Sequence, residues 1–216
     1  MNFSLKHIIR KPLKETKTPP LLLMLHGYGS NEQDLFSFAK ELPDELLVIS
    51  ARAPLSIDFG GFAWYTIHFG EGNKKFSDIP EALQARDLIS KYIDELQGAF
   101  HFSPKKSFLM GFSQGTILSY AVSLSTPNKI NNIIALSGYI NDDLIQNPPD
   151  TSLYKELDFY CSHGSEDPVI PIEWARKIPV SLQKLKVKHV YKEYYAGHGV
   201  TPDNFLDMKE WIQERL

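Results

Sequence analysis

Three short stretches of the chain hold residue types that could carry nucleophilic chemistry at a carbonyl carbon. In the first, Gly111-Phe112-Ser113-Gln114-Gly115, a serine stands between two glycines. It follows a strand-like run, Lys106 to Met110, and precedes a helical pattern from Gln114 to Ser125, the context that a sharp strand-to-helix elbow requires. In such a turn the hydroxyl stands clear of the sheet, and the glycines remove side chains that would strike neighbouring backbone. Chance alone would produce Gly-x-Ser-x-Gly in a chain of this size with a probability of roughly 5%. The context therefore carries more of the argument than the pattern.

A free serine is a poor nucleophile at neutral pH and needs a base. Of the seven histidines, His198 stands in the loop Ala196-Gly197-His198-Gly199, just after the last strand-like run. It also lies downstream of the candidate acids, in the chain order Ser, Asp/Glu, His of elbow-type sites. His189 begins a strand, at the wrong end of the sheet, and His7 and His101 have no flanking turn. The competing base is His163, which ends a strand in His163-Gly164-Ser165-Glu166-Asp167-Pro168; the order of groups around it is wrong. For the acid, Asp167 before Pro168 is held in a rigid turn, and Glu166, Asp142 and Asp143 are less well placed. Ser113 is thus the candidate nucleophile, His198 the base, and Asp167 the group that orients the imidazole. The developing oxyanion needs two donors: the N–H of Gln114 supplies one, and the N–H of Tyr28 in His26-Gly27-Tyr28-Gly29 is the natural second. Because the base must be neutral, turnover is expected to fall on acidification through about pH 7.

Alternating segments position these residues. The apolar run Leu21–His26 reads as a buried strand, Asn31–Leu42 as a helix and Glu45–Ser50 as the next strand. Pro80 opens a long helix with Ala82, Ala85, Ile89, Tyr92, Ile93 and Leu96 on one face, and Pro104 forbids its continuation. Further strands at Asn132–Ser137, Leu157–His163 and Lys188–Tyr195 alternate with helices at Ile172–Leu185 and Pro202–Leu216. The expected fold is α/β, a mostly parallel central sheet with helices on both faces, in a single domain over residues 1–216. Between Ala51 and Asp78 lies a glycine-rich segment carrying Phe59, Phe62, Trp64, Tyr65 and Phe69, which reads as a lid-like loop. The Pro19-Pro20 and Pro148-Pro149 pairs mark short connections.

Composition narrows the possibilities further. With 216 residues, 43% of them apolar, the chain can bury a large core without staples. Its 23 basic and 26 acidic residues give a net charge of −3, and only short lysine clusters break the surface, so no nucleic-acid footprint is expected. The single cysteine, Cys161, excludes an internal disulfide and lies inside a strand, as a buried structural thiol would. No apolar leader or spanning run is legible, so a cytoplasmic protein without stable membrane insertion is expected. The histidines are scattered and no His-Glu-x-x-His occurs, so no metal site is expected. The edge strands and the aromatic segment leave room for a homodimer.

Together, Leu25-His-Gly-Tyr-Gly29, Gly111-Phe-Ser-Gln-Gly115, His163-Gly-Ser-Glu-Asp-Pro-Val-Ile-Pro171 and Gly197-His198-Gly199 resemble the phospholipase/carboxylesterase family of α/β hydrolases, which includes the acyl-protein thioesterases. The Trp64-Tyr65 pair after Gly60-Gly61 is similar too. The resemblance runs from about Leu21 to the C-terminus and implies an α/β-hydrolase fold. It also implies a triad of Ser113, Asp167 and His198, oxyanion donors at Tyr28 and Gln114, and hydrolysis of small-molecule esters or thioesters with no cofactor. Trp64 and Tyr65 would then belong to the substrate-binding surface. Thr66 and Ser30 stand where acyl-protein thioesterases commonly carry acidic residues, which makes the chain look closer to bacterial carboxylesterases. Small or medium acyl esters are the expected substrates; a lysophospholipase or thioesterase of longer chains is the second reading. A ligand- or partner-binding fold without turnover is the third.

Overall fold

The computed structural model describes residues 3–14, 16–58, 60–69, 75–145 and 151–216. Phe59, Gly70 and Gly72 of the aromatic segment, the side chain of Phe69, and Pro148-Pro149 lie outside the described residues. A seven-stranded sheet organises the chain. Its strands are β1 (His7–Arg10), β2 (Leu21–Leu25), β3 (Leu47–Ala51), β8 (Phe108–Phe112), β9 (Asn132–Leu136), β10 (Asp158–Gly164) and β11 (Lys188–Tyr194). They lie in the order β1-β3-β2-β8-β9-β10-β11, and all neighbours are parallel except β1, which runs antiparallel to β3. The strand β1 is an element the apolar pattern does not announce. Between β3 and β8 lie two small ribbons, β4 (Leu55–Ile57) with β5 (Gly61–Ala63), and β6 (Ile67–Phe69) with β7 (Lys75–Ser77).

A strand buried on both faces must be apolar on both, and β2 is buried at all five positions. Leu21, Leu23 and Leu25 face one cluster, with α2 (Ile79–Phe100) and α3 (Gln114–Ser125) over it. Leu22 and Met24 face the other, beneath α1 (Gln33–Phe36) and α6 (Pro202–Gln213). The long helix α2 begins where Pro80 and the Asp78 cap allow, Asp78 accepting from the Glu81 N–H at 3.0 Å, and buries the six residues expected.

Two expected helices are broken, each for a physical reason. Only one α turn, α1, forms within Asn31–Leu42, followed by a 3-10 turn over Ser37–Lys40. The Arg10 guanidinium of β1 reaches across and takes the carbonyls of Ala39, Leu42, Pro43 and Leu46 at 2.6–3.1 Å. Ile172–Leu185 divides at Arg176 into α4 (Ile172–Ala175) and α5 (Lys177–Lys184). In one continuous helix the Pro179 ring would strike the carbonyl of Ala175, four residues back. All strand C-termini that matter for the chemistry, those of β2, β8, β9, β10 and β11, open at one end of the sheet.

Candidate active site

Ser113 follows β8 and caps α3 with φ 53° and ψ −113°, a left-handed backbone in a residue other than glycine. Such a conformation costs about 1–3 kcal/mol and persists only where the surroundings enforce it. They do so here by close approach of backbone. A Cβ on Gly115 would lie 2.1 Å from the Leu25 carbonyl oxygen of β2, and one on Gly111 would lie 2.5 Å from Gly115 backbone. Packing α3 onto β2 and β8 therefore forces the elbow, and the serine is left partly exposed at its tip.

The Gln114 side chain has a part the sequence does not reveal. It is buried, accepts from the Trp64 N–H at 2.8 Å and donates to the Tyr65 carbonyl at 2.8 Å. Its backbone N–H is at the first position of α3, where a helix leaves its amides without internal partners. The Tyr28 N–H, in the loop after β2, has no backbone acceptor among the described residues. That loop is braced from several sides. Gly29, at φ 80°, donates to the Phe62 carbonyl at 2.9 Å, Phe62 donates back to Ser30 at 2.8 Å, and Gly61 has no room for a side chain against the Gly29 carbonyl. Trp64 donates its indole N–H to the His26 carbonyl at 2.9 Å. His26 itself donates from Nδ1 to the Gly27 carbonyl at 2.7 Å and accepts at Nε2 from the Ala53 N–H at 3.1 Å, which fixes its neutral tautomer. Burial lowers its pKa from the ordinary imidazole value. Trp64 and Tyr65 are thus only 1% exposed and act as the brace behind this loop rather than as open wall.

Asp167 sits in the turn after β10 with a fully buried carboxylate. Its Oδ1 accepts from the N–H groups of Val169 at 2.8 Å and Ile170 at 3.0 Å, and its Oδ2 from His198 Nδ1 at 2.7 Å. Burial alone would raise this carboxyl, but the donors of His198, Ile170 and Val169 outweigh it and hold it below the usual carboxylate range. With Nδ1 committed to Asp167, His198 makes no hydrogen bond at Nε2 among the described residues, and its ring packs 5.0 Å from that of Phe112, the residue before Ser113. Ser113 and His198 share no hydrogen bond among the described residues. His163 is wholly buried under the same turn, and Cys161 lies inside β10, where burial pushes its thiol up to about 12. Asp142 and Asp143 lie in a 3-10 turn after β9 and share no hydrogen bond or ion pair with His198 among the described residues. Among the described residues no group of three or more metal-ligating side chains is gathered, and no helix is long and apolar enough to cross a membrane.

A strained serine between a parallel strand and a buried helix, in a mostly parallel sheet clad on both faces, defines an α/β hydrolase. More narrowly, the chain belongs to the phospholipase/carboxylesterase family, whose model matches residues 7–216. It is 25% identical to acyl-protein thioesterase 1 of Candida albicans over 95% of this chain and 96% of that protein. Its fold matches the crystal structure of esterase PE8 with a TM-score of 0.82 at 21% identity, covering 98% of this chain and 99% of that one. The Bacillus cereus carboxylesterase matches equally, with a TM-score of 0.82 at 20% identity over 98% and 95% of the two chains. The protein is a hydrolase of this esterase and thioesterase family.

Proposed function

We propose that the chain is a serine hydrolase of small or medium acyl esters, working through an acyl-enzyme. Ser113 Oγ attacks the acyl carbon while His198 Nε2 takes its proton; the N–H groups of Tyr28 and Gln114 hold the oxyanion. The proton passes to the leaving alkoxide, and water, activated by the same imidazole, then releases the acid and frees Ser113. Asp167 keeps Nδ1 protonated and steadies the imidazolium as it forms. The observation that carries this reading is the 2.7 Å bond from His198 Nδ1 to a buried carboxylate, at the same sheet end as the strained Ser113. No cofactor enters the scheme. Thioesters of longer chains form a second reading, favoured by the name of the Candida albicans relative.

Hydrolysis of p-nitrophenyl esters from acetate to palmitate, with a palmitoyl thioester beside them, tests both. Ser113→Ala is expected to remove at least about a thousandfold of kcat and leave the fold intact. Near-wild-type turnover by that variant would end the proposal, and a maximum at palmitate or at the thioester would put the second reading first.

A further inference from the structure

Asp167 has one contact that the scheme above leaves unused. His163, the last side chain of β10 before Gly164, is wholly buried; its Nε2 is hydrogen-bonded to the Ile170 carbonyl oxygen at 2.9 Å and also lies 3.2 Å from Asp167 Oδ2, close but without hydrogen-bond geometry. Bonded to a carbonyl oxygen, Nε2 must carry the hydrogen. Among the described residues its Nδ1 has no partner. A buried acceptor left unmatched is a cost that leucine or phenylalanine would not incur, so packing alone gives no reason for an imidazole here. What the ring does gain is a closed turn: it ties residue 163 to residue 170 across the loop that presents Asp167. With Oδ1 filled by two amides, Oδ2 takes its hydrogen bond from His198, and the His163 ring edge stands 3.2 Å from the same oxygen.

We propose that His163 is a positioning residue for the reaction, acting through Asp167. Its bond to the Ile170 carbonyl holds the loop whose amides grip Oδ1, and the positive N–H edge of its ring lies against the oxygen that His198 uses. The inference rests on the proposed triad. The charged groups facing the cluster are few: Glu193, the register partner of His163 on β11, is held by Arg176 at 2.8 Å, and Glu166 is exposed at the corner of the turn. Without the His163 ring edge against it, Oδ2 becomes a stronger acceptor for His198, and the acid side of the rate profile is expected to move to higher pH.

The test compares kcat, KM and the pH profile of kcat/KM on one p-nitrophenyl ester for wild type, His163→Leu, His163→Gln and Ser113→Ala. Expected for His163→Leu are a kcat about tenfold lower, KM within about twofold, and an acid-side midpoint raised by about half a unit. His163→Gln, whose amide can donate from nearly the same place, should restore most of kcat and the wild-type midpoint. A midpoint unmoved in His163→Leu, or Gln no better than Leu, overturns the inference. Should both variants fail to fold, nitrogen NMR of the wild-type histidines decides: an Nε2–H tautomer for His163 upholds the contact, and an Nδ1–H tautomer overturns it. The Ser113→Ala arm separates the two failures. If it stays active the triad itself is wrong, and if it is dead while His163→Leu matches wild type only the role of His163 falls.

Discussion

Truncating Gln114 separates what its side chain does from what its backbone does. Gln114→Ala leaves the N–H at position 114 in place and strips two bonds, leaving the buried Trp64 N–H and Tyr65 carbonyl without partners. Each of the two orphaned groups costs about 1–3 kcal/mol, so the variant should lose about 2–6 kcal/mol. At the middle of that range, about 4 kcal/mol, the melting temperature of a chain this long falls by about 8–16 °C. Urea unfolding followed by far-ultraviolet dichroism measures the first figure, and a thermal scan the second. Gln114→Glu should be no better: it can still accept from Trp64, but it sets a second acceptor against the Tyr65 carbonyl. Because the proposed backbone donor survives, kcat should fall by less than about tenfold, well short of the 10²–10³ typical of a lost oxyanion donor. A stability loss below about 1 kcal/mol in Gln114→Ala, or a wild-type Gln114→Glu, would refute the bracing role. A hundredfold loss of kcat at unchanged stability would show instead that the side chain meets the substrate.

Three further outcomes are expected. Ser113→Gly should abolish turnover yet raise stability by about 1 kcal/mol over Ser113→Ala in urea unfolding, because only glycine relieves the φ 53° backbone. Equal stabilities would show that the elbow is unstrained. Gly115→Ala should lose about 3 kcal/mol or more and most activity together, since its Cβ would meet the Leu25 carbonyl at 2.1 Å; a folded variant with normal kcat would refute the close approach. Stability should also fall on acidification from pH 7 to 5: with the folded pKa of His26 lowered by burial, the unfolded chain binds the proton first, from about pH 6.5 downward. A second loss, from Asp167, begins near pH 4 and runs to the folded pKa below it. Melting temperatures across this range, with His26→Asn flattening the upper step, check the assignment.

Much of the candidate site is legible because the proposed chemistry demands local steric solutions. The elbow glycines, the His198 loop and the turn at Asp167-Pro168 each stand at a strand end, and strands apolar on both faces, such as Leu21–Leu25, declare themselves as parallel-sheet cores. The six inward residues of α2 follow from helical period alone. Other features depend on partners distant in the chain. The strand β1 exists because the edge of β3 is there to pair with it, and the residues His7–Arg10 by themselves carry too weak a pattern. Trp64 and Tyr65 in a glycine-rich segment read as a binding wall; what buries them is Gln114, fifty residues on, together with the His26 carbonyl. The sequence alone thus determined which groups could react and the order in which strand ends present them. Only the tertiary structure decided which polar side chains brace those groups, because a buried hydrogen bond is set by whatever partner folding brings within 3 Å, and neither spacing nor composition encodes that partner.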